Sequence, residues 1–272
     1  MYVGKNGWRQ KYSSGRSVIL SLFMRVALFV TCLADQFLAE AGVAAVKLLR
    51  HLGVEVEFPP AQTCCGQPAY NAGYWNEARQ MAAHTLGVFE DAEYVVLPSG
   101  SCTAMVRSFY PELYRDMPRK FSKAEALSRK TYELAEFIVK VLGVSTLGLG
   151  LEGQRIAYHH GCHALRELGI KDEPLTLLAN AGASLVPWEA AIECCGFGGL
   201  FSVKLPEVSL SMADRKLSTL PEVDVLTSAD GGCLLHLSGR IAHRRLNVAV
   251  KPLASVLWEA AQKTPEVDAH AG

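Results

Sequence analysis

Eight cysteines stand in this 272-residue chain, and they repeat one spacing twice: Cys32, Cys64, Cys65 and Cys102, then Cys162, Cys194, Cys195 and Cys233. In both sets 31 residues separate the first cysteine from the adjacent pair, and 36 or 37 separate the pair from the last. Glycine follows each pair, at Gly66 and Gly196. Thiolates select iron–sulfur clusters, zinc or copper(I), and four of them complete a structural zinc shell or a cluster. A set copied at an offset of about 130 residues marks a duplicated unit. Disulfides are a poor alternative, because neighbouring cysteines bridge each other only with strain and a chain of this size has core enough without staples.

The ligand spacing is long, so the fold must make the site. Zinc fingers, with their short C-x-x-C spacings, are the opposite case. Glycine after each pair keeps side-chain bulk away and lets backbone amides approach sulfur. Duplication within one chain favours an electron relay over a structural zinc. The rival chemistries are a redox dithiol built from the Cys pairs and an interaction module stabilised by zinc.

The elements that position these thiols repeat as well. Arg25–Thr31 and Arg155–His160 read as short apolar strands running into Cys32 and Cys162. Amphipathic helices follow at about Gln36–Leu52 and Pro174–Ala181, ending near Gly53 and Gly182. Second strands, Val54–Phe58 and Ser184–Trp188, lead to the cysteine pairs. Helices at Tyr74–Glu90 and Glu207–Leu220 precede third strands, Tyr94–Pro98 and Asp224–Ser228, which run into the last cysteines. The fold class is therefore α/β: two pseudo-repeated Rossmann-like βαβαβ lobes with parallel sheets. In such a sheet the strand ends share one edge with helix N-termini, so distant cysteines meet in one crevice. Amides at those helix starts are expected to lower the thiol pKa values. Thr131–Leu142 and Lys251–Gln262 read as closing helices, preceded by the Pro- and charge-containing stretch Phe109–Ala124 in the first half and by His236–Val250, a helix and a strand, in the second; the glycine-rich Val144–Glu152 reads as the linker. The expected division is a leader over 1–23, with no counterpart in the second repeat, a first lobe over 24–150 and a second over 151–272. Met24 is the expected functional start, and Thr264–Gly272 reads as a frayed tail.

Composition excludes several classes. Lys plus Arg and Asp plus Glu both number 27, so no basic nucleic-acid surface is indicated. The longest apolar candidate, Ser17–Ala34, is interrupted by Arg25, which argues against a membrane span. No small-residue cleavage site precedes the first strand, and the expected compartment is the cytoplasm. Serine hydrolysis lacks a G-x-S-x-G elbow. Gly196-Phe197-Gly198-Gly199 does not have the dinucleotide spacing and reads as packing around the second pair. His159, His160 and His163 flank Cys162; the plainer reading is strand-end histidines bonded to a neighbouring loop, the sharper one ligation, tuning or proton handling. Arg166 reads as a solvated helix charge. Tyr70, Tyr74, Trp75 and Trp188 read as packing residues, with Tyr70–Trp75 a candidate aromatic lid over the first pair.

The doubled Cys-x31-Cys-Cys-Gly-x36/37-Cys unit resembles the cysteine-rich CCG-domain family, which includes the cysteine-rich subunit of heterodisulfide reductase and the iron–sulfur subunit of glycolate oxidase. The strings PSGSC (98–102), HHGCHALRELG (159–169), ECCGFGGLFSVK (193–204) and SADGGC (228–233) resemble its lactate-utilization branch most. The resemblance implies an iron–sulfur electron-transfer subunit of a system oxidising L-lactate to pyruvate. It implies a cluster in each lobe, the 4Fe-4S type held by the eight cysteines, with zinc an alternative in one lobe. It also implies separate partner subunits, lactate utilization proteins B and C. One departure matters: the heterodisulfide reductase relative ends each motif in C-x-x-C, whereas this chain has Ser99 and Asp230 three residues before Cys102 and Cys233. That relative's non-cubane clusters and disulfide cleavage do not carry over. Ser99 and Asp230 read as turn formers capping the next helix, with ligation by oxygen the rarer role.

Overall fold

The structure, a computed structural model, describes residues 24–263. The expected leader and the expected tail lie outside the described residues. The first half supplies β1 (Arg25–Leu28), β2 (Glu55–Glu57), β3 (Tyr94–Leu97) and β4 (Thr131–Glu133). The second supplies β5 (Arg155–Tyr158), β6 (Ser184–Leu185), β7 (Val225–Ser228) and β8 (Ala249–Pro252). They form two four-stranded parallel sheets of the same order, β2-β1-β3-β4 and β6-β5-β7-β8. Register repeats too: Val26 faces Tyr94 as Ile156 faces Val225. In this order the chain reverses direction of travel between β1 and β3, and again between β5 and β7. That is the switch point where open α/β sheets place their sites.

Each sheet is buried on both faces, and the alternation of side chains sorts its residues between two cores. Val26, Leu28 and Val96 point to a central core; Ala27, Phe29, Val95 and Leu97 point to an outer one. In the second sheet Ile156, Tyr158 and Val225 face the same central core, while Ala157 and Leu226 face their own outer core. The central core is thus common to both halves. Its helices pair reciprocally: Ala39–His51 of the first half packs on Leu253–Gln262 of the second, and Asp172–Asn180 of the second packs on Leu134–Glu136 of the first. The glycine-rich segment between the sheets is packed rather than loose. Leu147 and Leu151 are buried, and a Cβ on Gly150 would collide with the Ala260 backbone.

Three readings of the sequence need correction. Each sheet has a fourth strand; the one in the second half begins within the expected helix and strand of His236–Val250, and the one in the first half is new. Thr131–Glu133, expected as the first turn of a closing helix, pairs with β3 from Val95↔Thr131 to Leu97↔Glu133 before the helix begins at Leu134. Lys251 and Pro252, expected to start the other closing helix, end β8 in the same way. The expected helix Gln36–Leu52 is two helices, Cys32–Phe37 and Ala39–His51. The break falls at Leu38, whose side chain turns onto Gly231 of the second half.

Candidate functional site

Cys32 and Cys162 open the short helices Cys32–Phe37 and Cys162–Arg166 just after β1 and β5. Cys102 and Cys233 lie in the first turn of the helices Gly100–Ala104 and Gly231–Arg244, after β3 and β7. The pairs sit in the loops after β2 and β6. The parallel sheets therefore deliver all four sulfurs of each set to one edge. The Cys32 thiol donates to Cys64 Sγ at 3.4 Å, and the Cys195 thiol to Cys233 Sγ at 3.0 Å. Contacts of Cys65 with Cys64 and Cys102, and of Cys194 with Cys162 and Cys195, complete each quartet. No cysteine is in a disulfide.

The two quartets share one cavity of about 200 Å³, lined by all eight cysteines. The pairing of the helices explains this. The helix carrying Cys102 packs on the one carrying Cys162, and the helix carrying Cys233 packs on the one carrying Cys32. Asp230 fastens the crevice. It stands in cap position before its own helix but makes no cap there; its Oδ1 accepts from Ser101 N, in the first turn of the other half's helix, at 2.8 Å. A Cβ on Gly161 would collide with Asp230 Oδ2, so glycine leaves the carboxylate its place. Ser99 does cap its own helix, accepting from Cys102 N at 3.4 Å.

The glycine after each pair adopts the left-handed conformation, φ 86° at Gly66 and 88° at Gly196. Its amide turns back to the first sulfur of the pair: Gly66 N lies 3.5 Å from Cys64 Sγ, and Gly196 N 3.4 Å from Cys194 Sγ. A Cβ on Gly196 would stand 2.5 Å from the Ser209 carbonyl oxygen, so bulk is excluded as well as strained.

Crowding of the thiols governs their ionisation. Cys64 is held down to about 3, chiefly by the hydrogen bond from Cys32, then by Cys65, with the Gly66 amide a smaller aid. Cys194 is held down to about 2 by Cys162 and Cys195 in the same way. The donors move oppositely. Cys32 and Cys162 are pushed up by giving their protons to Cys64 and Cys194, then by burial. Cys65 and Cys195 are also pushed up, by neighbouring cysteines first. The expected lowering by helix-start amides is thus secondary to sulfur–sulfur contact. Each quartet readily carries one thiolate, and further ionisation requires a cation to offset the repulsion.

His159 is fully buried, and its Nδ1 lies 3.2 Å from the Ala191 carbonyl oxygen, the loop bond of its plainer reading. As Nδ1 faces a carbonyl, Nδ1 carries the proton and donates it, and Nε2 holds the lone pair. Nε2 has no hydrogen-bond partner, and a ligand atom of His159 lies within 4.8 Å of the Cys195 and Cys233 sulfurs. Burial, then the charge of Lys216, lowers its pKa to about 3. His160 is buried with Nδ1 unpartnered, His163 lines the cavity, and Arg166 is exposed at the end of its short helix, a solvated charge. The aromatic lid is not found: Tyr74 and Trp75 are more than half exposed, while Tyr70 stacks on Phe109 and bonds Glu112. Phe197 lies instead against Gly232 and lines the cavity.

Sequence reasoning misses two charged residues. Lys216 is completely buried behind the second pair. Glu133, at the end of β4, lines the cavity at 1% exposure, and its carboxylate accepts from Ala135 N and Glu136 N. Burial raises Glu133 to about 8, against the lowering by those amides. The folded protein therefore binds this proton between pH 4.5 and 8 where the unfolded chain releases it, and stability falls as pH rises through that window. Glu133→Gln removes the penalty. Its advantage in unfolding free energy over the wild type, measured by denaturant titration, is expected to grow from about pH 5 to pH 8, by up to about 1.4 kcal/mol per pH unit. A difference independent of pH would show that Glu133 is ionised in the fold.

The fold and the site together define a class. The Cysteine-rich domain family matches this chain twice, over residues 26–107 and 156–238, and the chain belongs to that family. Within it, the chain is 49% identical to Lactate utilization protein A of Geobacillus kaustophilus (strain HTA426) over 86% of its length and 98% of the relative's. It is 46% identical to Lactate utilization protein A of Bacillus subtilis (strain 168), over 86% and 99%. A glutamate racemase from Thermus thermophilus aligns over 88% of this chain and 78% of its own at 15% identity, with a TM-score of 0.35, too low to carry an argument. No helix among the described residues is long and apolar enough to cross a membrane.

Proposed function

We propose that this chain is the iron–sulfur electron-transfer subunit of a cytoplasmic system that oxidises L-lactate to pyruvate. The observation that carries the reading is the repeated convergence of four sulfurs on one cavity, in a chain whose relatives are named for lactate utilization. In this reading Cys32, Cys64, Cys65 and Cys102 hold one centre, and Cys162, Cys194, Cys195 and Cys233 the other. A 4Fe-4S cluster held at each quartet supplies one-electron uptake and release. The donor set fits: four thiols per site, an amide directed at Cys64 and at Cys194, a further one from Phe197 N to Cys195 at 3.4 Å, and a cavity in front. The protein's part is to hold the sulfurs, screen them from water and bring the two centres to one crevice. Partner proteins of the lactate utilization B and C kind supply the remaining steps of substrate oxidation.

Zinc in the second lobe is a second reading, favoured by a specific observation. A ring nitrogen of His159 beside Cys195 and Cys233, on a ring whose Nε2 has no hydrogen-bond partner, makes a nitrogen–sulfur set of the kind zinc takes. Oxygen-free preparation followed by analysis of iron, zinc and acid-labile sulfide tests both. Two clusters require about four irons and four sulfides per quartet, with visible absorbance that bleaches on reduction. One zinc with one cluster establishes the mixed case. Protein free of metal, with reactive low-pKa thiols at Cys64 and Cys194, overturns the proposal in favour of dithiol chemistry.

A further inference from the structure

The two quartets repeat, but their surroundings do not. Phe29 and His159 hold equivalent places at the ends of β1 and β5, where Phe29 N donates to Val96 O and His159 N to Thr227 O. Ala78 and Ser209 each turn a carbonyl toward the glycine of their pair. Seven residues further along the same two helices come Thr85 and Lys216. Thr85 is buried and neutral, its hydroxyl donating to the Met81 carbonyl. Lys216 is buried, and although burial lowers its pKa to about 8 it carries an ammonium at pH 7.

Among the described residues no other lysine or arginine is buried. The Lys216 ammonium donates to the carbonyls of Ala190 and Glu193 and lies 4.1 Å from the centre of the Trp188 ring. All three are neutral groups. No carboxylate among the described residues is within ion-pair distance, and the side chain of Glu193 faces Arg215 at the surface. An ammonium in the interior requires a compensating anion. When a metal holds the quartet as thiolates, the charges that act on Lys216 first are those of Cys195 and Cys233, followed by Glu193 and Cys194. The nearby carboxylate of Asp230 acts on Cys162 and is already engaged by Ser101 N.

We propose that Lys216 is the built-in counter-charge of the second cysteine quartet, which makes the second lobe the electron-accepting one of two otherwise repeated centres. The ordering of electrons rests on the iron–sulfur reading above; the counter-charge itself does not. Four thiolates around a divalent ion or a doubly charged cluster leave about two net negative charges. Reduction adds one more, with no bond made or broken. A fixed cation stabilises that added charge, and among the described residues only the second centre has a buried one. One electron supplied by dithionite, or passed from a reduced first centre that is thereby oxidised, comes to rest on the second.

The test uses oxygen-free holoprotein of the wild type, K216M and K216R, with folding checked by circular dichroism and metal content measured. Reduction by dithionite is followed by electron paramagnetic resonance. The signal of the second centre is identified by its absence in C195A. In the wild type it is expected to appear first. In K216M the ratio of reduced to oxidised second centre, at a fixed solution potential, is expected to fall at least tenfold while the first centre is unmoved; K216R is expected to keep the wild-type order. Loss of metal from the second site alone in K216M, restored in K216R, also supports the counter-charge. Unmoved potentials in a fully loaded K216M, an equal shift of both centres, or a loss that K216R does not restore overturns it. Should the protein load zinc in place of iron, the relay reading falls, and chelator competition then reads Lys216 directly. One of the two zinc sites is expected to weaken about tenfold in K216M, and equal retention of both refutes the proposal.

Discussion

Cys195→Ala is expected to strip metal from the second quartet and leave the first loaded, and Cys65→Ala to do the reverse, each variant retaining about half of the wild-type metal. The expectation follows from how each quartet is built. Cys65 and Cys195 are the buried members of their pairs, in contact with both the neighbouring cysteine and the last one. Removal of either leaves three thiols, with the low-pKa sulfur of Cys64 or Cys194 deprived of one of the two hydrogen bonds that hold it ionised. The other quartet keeps every contact, because the thiol hydrogen bonds run within a set. Metal analysis of folded protein checks this. Full retention in both variants contradicts the assignment of ligands.

Leu257→Ala carries the second large effect, on stability. Leu257 is fully buried in the central core, on the helix Leu253–Gln262 that packs against Ala39–His51 of the first half. Deleting its branched end opens a cavity between two helices held in place by opposite sheets, and a cost of about 2–5 kcal/mol is expected. The consequence extends past one lobe. Since the central core takes side chains from both sheets, the loss should appear equally in both, as one cooperative transition at a lower midpoint. Hydrogen exchange resolves the point: amides of β1 and β3 should lose protection together with those of β5 and β7. Loss confined to β5 and β7 would mean that the halves are stable separately.

Much of this arrangement is legible in the sequence. Three strands per half, the helices between them and all eight cysteines follow from apolar runs, glycine stops and a repeated spacing. Parallel topology then brings residues such as Cys32 and Cys102 together without further information. The missing parts have a common cause: they depend on partners distant in the chain. Thr131–Glu133 is too short to show a period, and its apolar positions continue smoothly into the helix beginning at Leu134; pairing with β3 makes it a strand. Asp230 has the type and place of an ordinary cap, yet its acceptor role is across the crevice at Ser101. Leu38 interrupts a helix because Gly231 of the other half offers a surface. Lys216 left one detectable trace, a lysine on the apolar face of a helix where the first repeat has threonine. Glu133 left none, since its burial depends on a fourth strand.

Anomalous scattering at the iron edge, from crystals of oxygen-free protein, addresses the central claim most directly. Two separate iron sites are predicted, each within ligand distance of the four sulfurs of a single quartet and both opening on the same crevice. A single site, iron ligated by sulfurs drawn from both quartets, or no iron at either would contradict it.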